Sequence, residues 1–539
     1  WMAPSGQNGK IILSDFVLHP RDIVDNLEEK TGLRTEVTYP APVGGSFAAI
    51  DTSAVINVSS SLSTDGHLSV RAPQGSWRVI RFGYIPTGAK TKHGRKNLLG
   101  LEADVMSADA ARCQFDNYFR VIADTLRGAG LPVAGMCMDS HEAGIQNWTA
   151  GFDSTFTSLR GYGFTPWIPA MAGYIVSSRP DTDRFLSDFR RSVAETIASQ
   201  FYATLDSLCA SCGVTFTSQA MLNIDNDNIM SRGQVSKPQG EFWAYQTDGN
   251  YDVLDAASSA HIYGHPIASA EAFTDTPYTS TWDELLRIAN LAYCRGINEF
   301  VVCASSYQPW MAHKYDDSAS AHPYVFHRFH PHWDSVGPFW DYQARCAAML
   351  RQGEPVVDLC VYLGEALPAK TMAYRLPDIP GNYTFDVASP DALLHRFYAG
   401  RDSTLRGGSI PYKALLIEDR AVIGPEAAAK IAELRSAGVP VIRCSLGSDV
   451  AADLRDNGVA PSLNGVDGLR YCRRHLSDGR DIYFIYNHSD HEVTVLPEAE
   501  TPFDEAEIWN PADMSRHKLS SVLTLKPWQA IFLITRPSI

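Results

Sequence analysis

The sequence predicts an α/β protein with added all-β modules: a (β/α)8-type barrel, a second α/β domain and a C-terminal β-sandwich. Three observations predict this fold. Short apolar strands alternate with helices between about residues 100 and 350, a second such alternation follows, and period-two β patterns lie at both ends of the chain. Strand–helix alternation with strands that are apolar on both faces is typical of a parallel sheet covered by helices.

These patterns divide the chain into four segments. Residues 1–98 are predicted to be a β-rich module, because their apolar and polar residues alternate between Gly, Pro, Asp and Ser. Residues 99–353 form the barrel region. Residues 354–462 are predicted to be a flavodoxin-like or amidotransferase-like α/β domain, with a helix that ends near Gly438. Residues 463–539 return to short strands and are assigned to the sandwich.

The barrel region shows fewer strands than an eight-stranded barrel needs. Its predicted helices and strands are helices at 108–128, 183–211 and 282–295, and strands at 133–140, 213–220, 266–273 and 298–305. One or two further strands are expected around 163–175 and 240–262. The shortfall predicts a barrel that is incomplete at its N-terminus, with its first strands upstream of Trp1.

Composition and missing motifs exclude several classes of function. The net charge of -15 argues against a nucleic-acid surface, and no run of about 18 apolar residues predicts a membrane span. The ten Cys show no spaced framework, and the Cys209–Cys212 pair has no partner pair at zinc-site spacing. No phosphate loop, nucleophile elbow or H-E-x-x-H occurs. Residues 223–228 lack the Gly and Glu of a Ca²⁺ loop and are interpreted as a solvated loop.

Polar side chains follow the predicted barrel strands, where barrel enzymes keep their chemistry. Glu142 lies just beyond the first strand, with Trp148 as an apolar wall. A carboxyl group in such a cleft favours its neutral form and can protonate a leaving oxygen. The alternative, that the acids of this loop cap the next helix, stays open at this point.

Two further glutamates lie at comparable positions. Glu241 is flanked by Phe242 and Trp243, so it is poorly solvated unless a basic residue pairs with it. Glu271 ends a short strand, with His261 nearby, although a lone His is more often structural. Hydrolysis of a glycosidic bond needs two carboxyl groups on opposite sides of the anomeric carbon. The sequence offers three, all predicted to reach one face of one barrel.

A set of segments, in this order, resembles glycoside hydrolase family 106, the α-L-rhamnosidases. They are "DGHLSVRAPQGSWRVIRFGYIPTG" (65–88), "GLEAD" (100–104), "DSHEAGIQNWT" (139–149), "RGYGFTPWIPAMAGY" (160–174), "GEFW" (240–243), "SSAHIYGHPIASAEAFT" (258–274), Trp282 and "GINEFVV" (296–302). Each motif is modest, but their shared order and spacing make the match fairly specific, and it covers most of the chain.

The resemblance implies an inverting, calcium-dependent hydrolase that releases terminal α-L-rhamnose from oligo- or polysaccharides. It implies Glu142 as the general acid and Glu271 as the general base. Glu241 matches a third acidic position, either an alternative base or a contact to substrate or metal. The Ca²⁺ ligands are unassigned. Residues expected to contact substrate are Asp139, His141, Trp148, Trp243, His261 and Trp282.

The sequence departs from the family pattern near the barrel mouth. His141 stands where an aromatic residue is commoner, and residues 303–310 and 325–334 differ from the usual segments. A non-catalytic carbohydrate-binding or scaffold protein is therefore the main alternative. A polysaccharide lyase is a weaker one, since the acidic charge and the Glu-rich mouth oppose it. We expect a secreted or periplasmic protein, with its oligomeric state left open.

Overall fold

A computed structural model describes most of the chain. The described residues are 23–34, 49–92, 99–220, 225–245, 251–305, 326–328, 330–371, 376–445 and 448–537. Their centre is a five-stranded parallel sheet in the order β1-β2-β3-β4-β5. These strands are β1 Gly135–Met138, β2 Thr215–Ser218, β3 Lys237–Trp243, β4 Ser269–Thr274 and β5 Glu299–Val302.

Helices surround this sheet, which is a half-barrel. They are α1 Leu27–Lys30, α2 Ala108–Gln114, α3 Arg120–Gly128, α4 Phe152–Arg160, α5 Arg179–Thr196, α6 Ala203–Ser211, α7 Asn228–Gly233, α8 Asp252–Tyr263, α9 Trp282–Cys294 and α10 Gly337–Leu350. A π-helical turn, Phe115–Phe119, joins α2 to α3, and another, Ile197–Tyr202, joins α5 to α6. The long helices that the sequence predicts at 108–128 and 183–211 are therefore confirmed.

The four strands predicted from apolar runs are present, and one of the two extra windows adds a strand. β3 begins at Lys237 and ends at Trp243, and the last part of the window 240–262 belongs to α8. The prediction of a strand at 163–175 is wrong, because Thr165–Ala172 is a 3₁₀ helix. Pro166 and Pro169 lie inside it, and a proline cannot donate a hydrogen bond to a sheet.

Within the described residues the parallel sheet has five strands, which agrees with the predicted four strands plus one or two more. One expectation for the first half of the chain needs correction. The β-rich module predicted for residues 1–98 has no extended strand in its described part. That part has isolated bridges, such as Leu62 with Leu68, and short 3₁₀ turns at Thr52–Ala54 and Ser59–Ser61. Most of 51–92 is exposed, so its alternating pattern has no sheet face to bury.

The second α/β unit contains a four-stranded parallel sheet in the order β13-β12-β7-β8. Counted along the chain, this is the 2-1-3-4 order of flavodoxin-like sheets. The elements of this unit are β7 Leu359–Tyr362, β8 Phe385–Ala388, β9 Phe397–Ala399, β10 Leu405–Gly407, β11 Ile410–Tyr412, β12 Ala414–Glu418, β13 Val441–Cys444, α11 Pro425–Ser436 and α12 Val450–Asp456. Gly438, at φ 92°, follows the end of α11 as predicted.

The C-terminal region forms a six-stranded antiparallel sheet in the order β20-β19-β22-β16-β15-β6. Its strands are β6 Glu354–Val356, β15 Arg470–His475, β16 Asp481–Tyr486, β19 Phe503–Trp509, β20 Arg516–Lys518 and β22 Ala530–Pro537. Two small two-stranded sheets accompany it: β14 Leu463–Asn464 with β18 Glu498–Ala499, and β17 Val493–Val495 with β21 Leu523–Leu525. A finer assignment to a sandwich remains a prediction.

One hydrophobic core ties the half-barrel to the C-terminal sheet. Phe242 of β3 shares a buried cluster with Tyr293 of α9, Phe484 of β16 and Phe532 of β22. The outward face of the parallel strands is therefore packed against helices and the second sheet. Its inward face is left for polar side chains. Within the described residues, no helix combines the length and apolar character that crossing a membrane requires.

Candidate active site

The inward face of β3 carries polar groups at every second residue, because alternate residues of a strand point to one side. Lys237, at the start, forms a 3.0 Å ion pair with Glu299 of β5. Gln239 follows, and its Oε1 lies 3.6 Å from the Cys137 thiol of β1. Glu241 comes next, near the carboxyl end of the strand. Functional groups therefore gather at the end where parallel strands of barrel enzymes carry their active sites.

Glu271 lies beside Glu241, since the two are paired in the register of β3 and β4. Gln219, just after β2, donates from Nε2 to Glu271 Oε2 at 2.8 Å. The Thr274 hydroxyl donates to the other oxygen, Oε1, at 2.7 Å. Both carboxylate oxygens thus accept a neutral hydrogen bond. This holds the carboxylate in one orientation without neutralising its charge, which suits a group that must accept a proton.

Glu241 is placed by a close approach of helix α8. A Cβ added to Gly240 would lie 2.7 Å from the carbonyl oxygen of Asp252, so a larger residue would push the helix away from β3. Asp252 accepts a 2.8 Å hydrogen bond from the Glu241 amide. The guanidinium of the fully buried Arg232 donates hydrogen bonds to both carboxylate oxygens of Asp252, at 2.8 and 2.9 Å. The backbone of Glu241 is therefore held in place by Asp252, which is itself fixed by its ion pair with Arg232.

The surroundings of Glu241 favour its protonated form. Burial raises the pKa of Glu241 to about 8, and the negative charges of Glu271, Asp252, Asp139 and Glu142 add to the effect. At neutral pH this side chain therefore holds a proton and can donate a hydrogen bond. The sequence suggested poor solvation from the flanking aromatic residues. The neighbouring acids become visible only when the strands are assembled.

We expect Glu241→Gln to flatten the pH dependence of stability. Between about pH 4.5 and 8 the folded protein holds a proton that the unfolded chain has lost. The free energy of unfolding of the wild type therefore falls as pH rises through this range. The variant should be the more stable at pH 8.5, by about 2 kcal/mol after allowance for solvent screening. Denaturant unfolding of both proteins at pH 5 and 8.5 measures this, and a constant difference would contradict it.

Glu142 follows β1 on a loop and is partly exposed to solvent. Its Oε1 accepts a 3.1 Å hydrogen bond from the Ser140 hydroxyl, and its Oε2 lies 3.2 Å from Lys92 Nζ. The two side chains of this ion pair are 39% and 51% exposed. Glu142 thus lies at the solvent-facing side of the cluster, where a leaving group can approach and depart.

The segment that carries Lys92 is held against the Glu142 loop. Its backbone pairs with residues 100–102 through the Thr91 amide to the Gly100 carbonyl, 3.1 Å, and the Glu102 amide to the Ala89 carbonyl, 2.9 Å. A Cβ added to Gly144 would lie 3.0 Å from Cβ of Ala89, and Gly144 has φ 79°. A glycine is therefore needed where the two segments meet.

The structure brings four sequence-predicted residues together. The charges of Asp139, Glu142 and Glu271 all act on Glu241 strongly enough to raise its pKa. This cluster of acidic side chains, called the carboxylate cluster below, consists of Asp139, Glu142, Glu241 and Glu271. It lies at the carboxyl ends of β1, β3 and β4, as the strand pattern predicts.

Two of the tryptophans predicted to contact substrate, Trp148 and Trp243, lie in different surroundings. Trp148 packs 5.3 Å from both Phe152 and Phe164 between ring centroids, within a hydrophobic core. Trp243 ends β3, two residues after Glu241, and its ring is 5.6 Å from that of the exposed Tyr245. Trp243 is therefore an aromatic residue on the same strand as a member of the carboxylate cluster.

Trp282 begins α9 and is anchored away from the carboxylate cluster. Its indole N–H donates to the His332 carbonyl at 3.0 Å, and its ring packs 5.5 Å from Phe339. This hydrogen bond and this ring contact are sufficient to explain the position of Trp282. A substrate contact for this residue stays a prediction.

The prediction that His261 lines the mouth needs correction. His261 lies within helix α8 and is buried against the second α/β unit, where Nδ1 is 2.9 Å from Asp386 of β8. Tyr412 donates to the same carboxylate at 2.8 Å. The sequence placed His261 near Glu271 by proximity along the chain, but a helix carries it to the other side of the sheet. It is a structural histidine joining two units.

His141 lies next to Glu142 and is more than half buried. Burial lowers the pKa of the His141 imidazole, opposed by the negative charge of Glu102. Among the described residues, its buried Nδ1 atom has no hydrogen-bond partner. A neutral ring with a polar nitrogen beside the proposed acid is compatible with the substrate contact predicted for it.

The side chains do not identify a metal centre. Among the described residues, no group of three or more His, Cys, Asp and Glu is arranged to hold a metal ion. Ca²⁺ takes six to eight oxygen ligands, and no ligand is assigned to the calcium ion that the family resemblance implies.

A separate cavity of about 540 Å³ lies between the half-barrel, the second α/β unit and the C-terminal sheet. Residues from all three units line it, including Phe242, His261, Phe385 and Arg470. None of the three glutamates does. It is therefore a different place in the molecule from the carboxylate cluster.

Sequence reasoning missed several residues that shape the site. Lys92, Asp252 and Thr274 contact the glutamates. Lys92 and Asp252 lie in segments without a distinctive motif, whereas Thr274 ends the family-like segment 258–274 but had no role predicted for it. Cys303 also hydrogen-bonds Glu271, and burial together with this contact raises the pKa of its thiol. The position of Cys303, after β5, is the one signal that could have suggested it, since the other strands also end in polar groups.

Comparisons with known proteins identify the family of this chain. The family model described as alpha-L-rhamnosidase, glycoside hydrolase 106, matches residues 5–445. A protein of Formosa agariphila named "Putative beta-glucuronidase" is 33% identical over 434 residues, which are 78% of this chain and 36% of that protein. This chain thus spans little more than a third of that relative's length.

A solved structure shows the same fold. The rhamnosidase from Novosphingobium sp. PP1Y superposes with a TM-score of 0.80 at 22% identity, covering 96% of this chain and 56% of that one. At this identity the likeness establishes the fold. The family match over most of the chain establishes more: the chain belongs to glycoside hydrolase family 106, the α-L-rhamnosidase family.

Proposed function

We propose that this protein is an inverting glycoside hydrolase that releases terminal α-L-rhamnose from oligo- or polysaccharides. The observation that carries the proposal is the carboxylate cluster. It places Glu142, Glu241 and Glu271 at one end of a parallel half-barrel, in a chain of this family. Two carboxyl groups around a glycosidic bond are the minimum that such hydrolysis requires.

Glu271 is proposed as the general base. Its described hydrogen bonds are to an amide, a hydroxyl and the Cys303 thiol, none of which is a cation that would compete with the water proton. In an inverting enzyme this base activates a water on the face of the sugar opposite the leaving group. Gln219 and Thr274 then act as positioning residues, because they fix the carboxylate in one orientation.

Glu142 is proposed as the general acid. It is partly exposed to solvent, and it lies on the loop after β1 rather than inside a strand. A leaving group must enter and depart past the acid, which suits the solvent-facing side of the cluster. When protonated, Glu142 would transfer its proton to the glycosidic oxygen as the bond breaks.

Glu241 is proposed as a neutral donor to the bound sugar rather than as the base. With a pKa of about 8 it is protonated at neutral pH and would be a poor proton acceptor there. A protonated carboxyl group offers one O–H donor and one acceptor oxygen to a sugar hydroxyl.

The terminal sugar is proposed to be neutral. The relative from Formosa agariphila is named as a glucuronidase, which would place a carboxylate on the terminal sugar. Here Asp139 and Glu271 act as negative charges on Glu241, the proposed donor to the bound sugar, and they would repel that carboxylate. Like charges brought together in a partly buried site are costly. Rhamnose, which carries no charge, fits better.

The direct test is hydrolysis of 4-nitrophenyl α-L-rhamnopyranoside, with the product followed by NMR. We expect release of 4-nitrophenol and initial formation of the β-anomer of rhamnose, because inversion changes the anomeric configuration. Initial formation of the α-anomer would contradict the inverting mechanism. Binding of rhamnose without turnover would favour the alternative of a non-catalytic carbohydrate-binding or scaffold protein.

Dependence on Ca²⁺ is a separate proposal that follows from the family alone. If it holds, treatment with a chelator should abolish hydrolysis, and added Ca²⁺ should restore it. Unchanged activity after exhaustive chelation would remove calcium from the mechanism. A secreted or periplasmic location likewise stays a prediction.

A further inference from the structure

We propose that the cavity between the half-barrel, the second α/β unit and the C-terminal sheet is a binding site for a small aromatic carboxylate. It is separate from the carboxylate cluster, so the inference does not depend on the proposed function. Its volume of about 540 Å³ lies within the usual range of small-molecule sites. Three observations carry the proposal: this volume, the aromatic lining and an arginine without a carboxylate partner.

The walls of the cavity are mostly apolar. They include Ile288 and Leu291 of α9, and Ile379, Tyr383 and Phe385 of the second α/β unit. Aromatic rings gain contact energy from one another beyond the area that they bury, which favours a ligand with an aromatic body. Small-molecule sites typically combine such a lining with a few polar groups that fix the orientation of the ligand.

The acidic groups of the lining offer little to a cation. Asp386 is already engaged by His261 at 2.9 Å and by Tyr412 at 2.8 Å. The other acid of the described lining, Asp378, is exposed to solvent. Four arginines line the same cavity, and they are Arg295, Arg470, Arg473 and Arg474. The charged side chains therefore favour an anion as the ligand.

Arg470 is the arginine that we expect to bind this anion. Arg473 pairs with Asp481 at 2.8 Å, and Arg474 donates to two backbone carbonyl groups. Within the part of the chain that the structure describes, the guanidinium of Arg470 forms no hydrogen bond or ion pair. A guanidinium group can hold a carboxylate through two parallel hydrogen bonds. Arg470 thus supplies the polar group that the apolar walls lack.

The guanidinium of Arg470 lies where the three units meet. Arg470 and Cys472 are on one face of β15, because alternate residues of a strand point to the same side, and Cys472 packs against the core shared with the half-barrel. A Cβ added to Gly381 would overlap Nη1 of Arg470. Burial and Cys472 raise the pKa of the Cys294 thiol at the end of α9, and the charge of Arg470 opposes them. Gly381 and Cys294 both line the cavity, so Arg470 reaches its wall from the C-terminal sheet.

The test is calorimetric titration of the whole chain with 2-naphthoate and with its neutral counterpart, 2-naphthamide. The two molecules share one ring system and differ in charge. We expect one molecule of 2-naphthoate to bind per chain, about fivefold more tightly than 2-naphthamide, the upper range for an ion pair with an exposed side chain. Arg470→Met should abolish this preference, and Arg470→Lys, which keeps the charge, should retain most of it.

Arg480→Met is the matched control. Arg480 pairs with Asp478 just before β16 and does not line the cavity, so both affinities should stay as in the wild type. Unchanged binding of 2-naphthamide to Arg470→Met would show that the cavity is intact in that variant. If the variant binds neither molecule, Arg470→Lys decides, and loss of the preference there would overturn the proposal. Equal affinity of the wild type for acid and amide, no binding of 2-naphthoate, or a preference that survives in Arg470→Met would overturn it as well.

Discussion

Glu271→Gln is expected to lower kcat for rhamnoside hydrolysis by about a thousandfold, the usual contribution of a general base. The amide keeps the size of the side chain and can still be held by Gln219 and Thr274, but it cannot accept a proton from water. The binding of substrate should change little, so KM should stay close to that of the wild type. Steady-state kinetics on 4-nitrophenyl α-L-rhamnopyranoside measure both constants.

The structure offers a matched control for this variant. Glu299 lies on the same inward face but at the opposite end of the sheet, paired with Lys237 and Arg351. Glu299→Gln should therefore leave kcat largely unchanged. Glu241→Gln should also be far less harmful than Glu271→Gln, because its amide resembles a protonated carboxyl group. If Glu241→Gln were the variant that abolished turnover, the base would have to be reassigned to Glu241.

Glu142→Gln is expected to give the second large effect, and its size should depend on the leaving group. Hydrolysis of a natural disaccharide should fall by about a thousandfold, since a sugar alcohol needs protonation to leave. The 4-nitrophenyl glycoside should lose far less, because 4-nitrophenolate leaves readily without a proton. Measuring kcat on both substrates gives the ratio that defines a general acid.

Ser140→Ala is the control for the second variant. The Ser140 hydroxyl donates to Glu142 Oε1 at 3.1 Å, so its loss should reorient the acid without removing it. We expect a modest loss that is again larger for the disaccharide than for the 4-nitrophenyl glycoside. Equal losses on the two substrates in Glu142→Gln would mean that residue 142 acts in binding and not in proton transfer.

The sequence predicted much of the barrel because its signals are local. Apolar runs mark four of the five parallel strands, and the capping box formed by Thr281 and Glu284 starts α9 where the helical pattern begins. The rule that barrel chemistry lies at strand carboxyl ends then placed Glu142, Glu241 and Glu271 together. β3 was less clear because its sequence includes proline, glycine and charged residues.

The contacts of His261 and Trp148 could not be predicted from local sequence patterns. His261 is close to Glu271 along the chain, but helix α8 turns it toward Asp386 of another unit. Trp148 packs against Phe152 and Phe164, contacts that its place in the sequence did not indicate, and its role as a wall of the site stays a prediction. Neighbours in sequence are not neighbours in space when a helix or a packed core lies between them.

By itself, the sequence determined the strand–helix alternation, the family and the three glutamates, because periodicity and motif order are properties of the chain. Only the tertiary structure decided how those acids differ. Burial and carboxyl groups from other segments raise the pKa of Glu241 to about 8. Glu142 instead forms an ion pair with Lys92, which lies 50 residues earlier in the chain. Electrostatic interactions depend on distance and solvent exposure, and both are fixed only when the separate strands and loops come together.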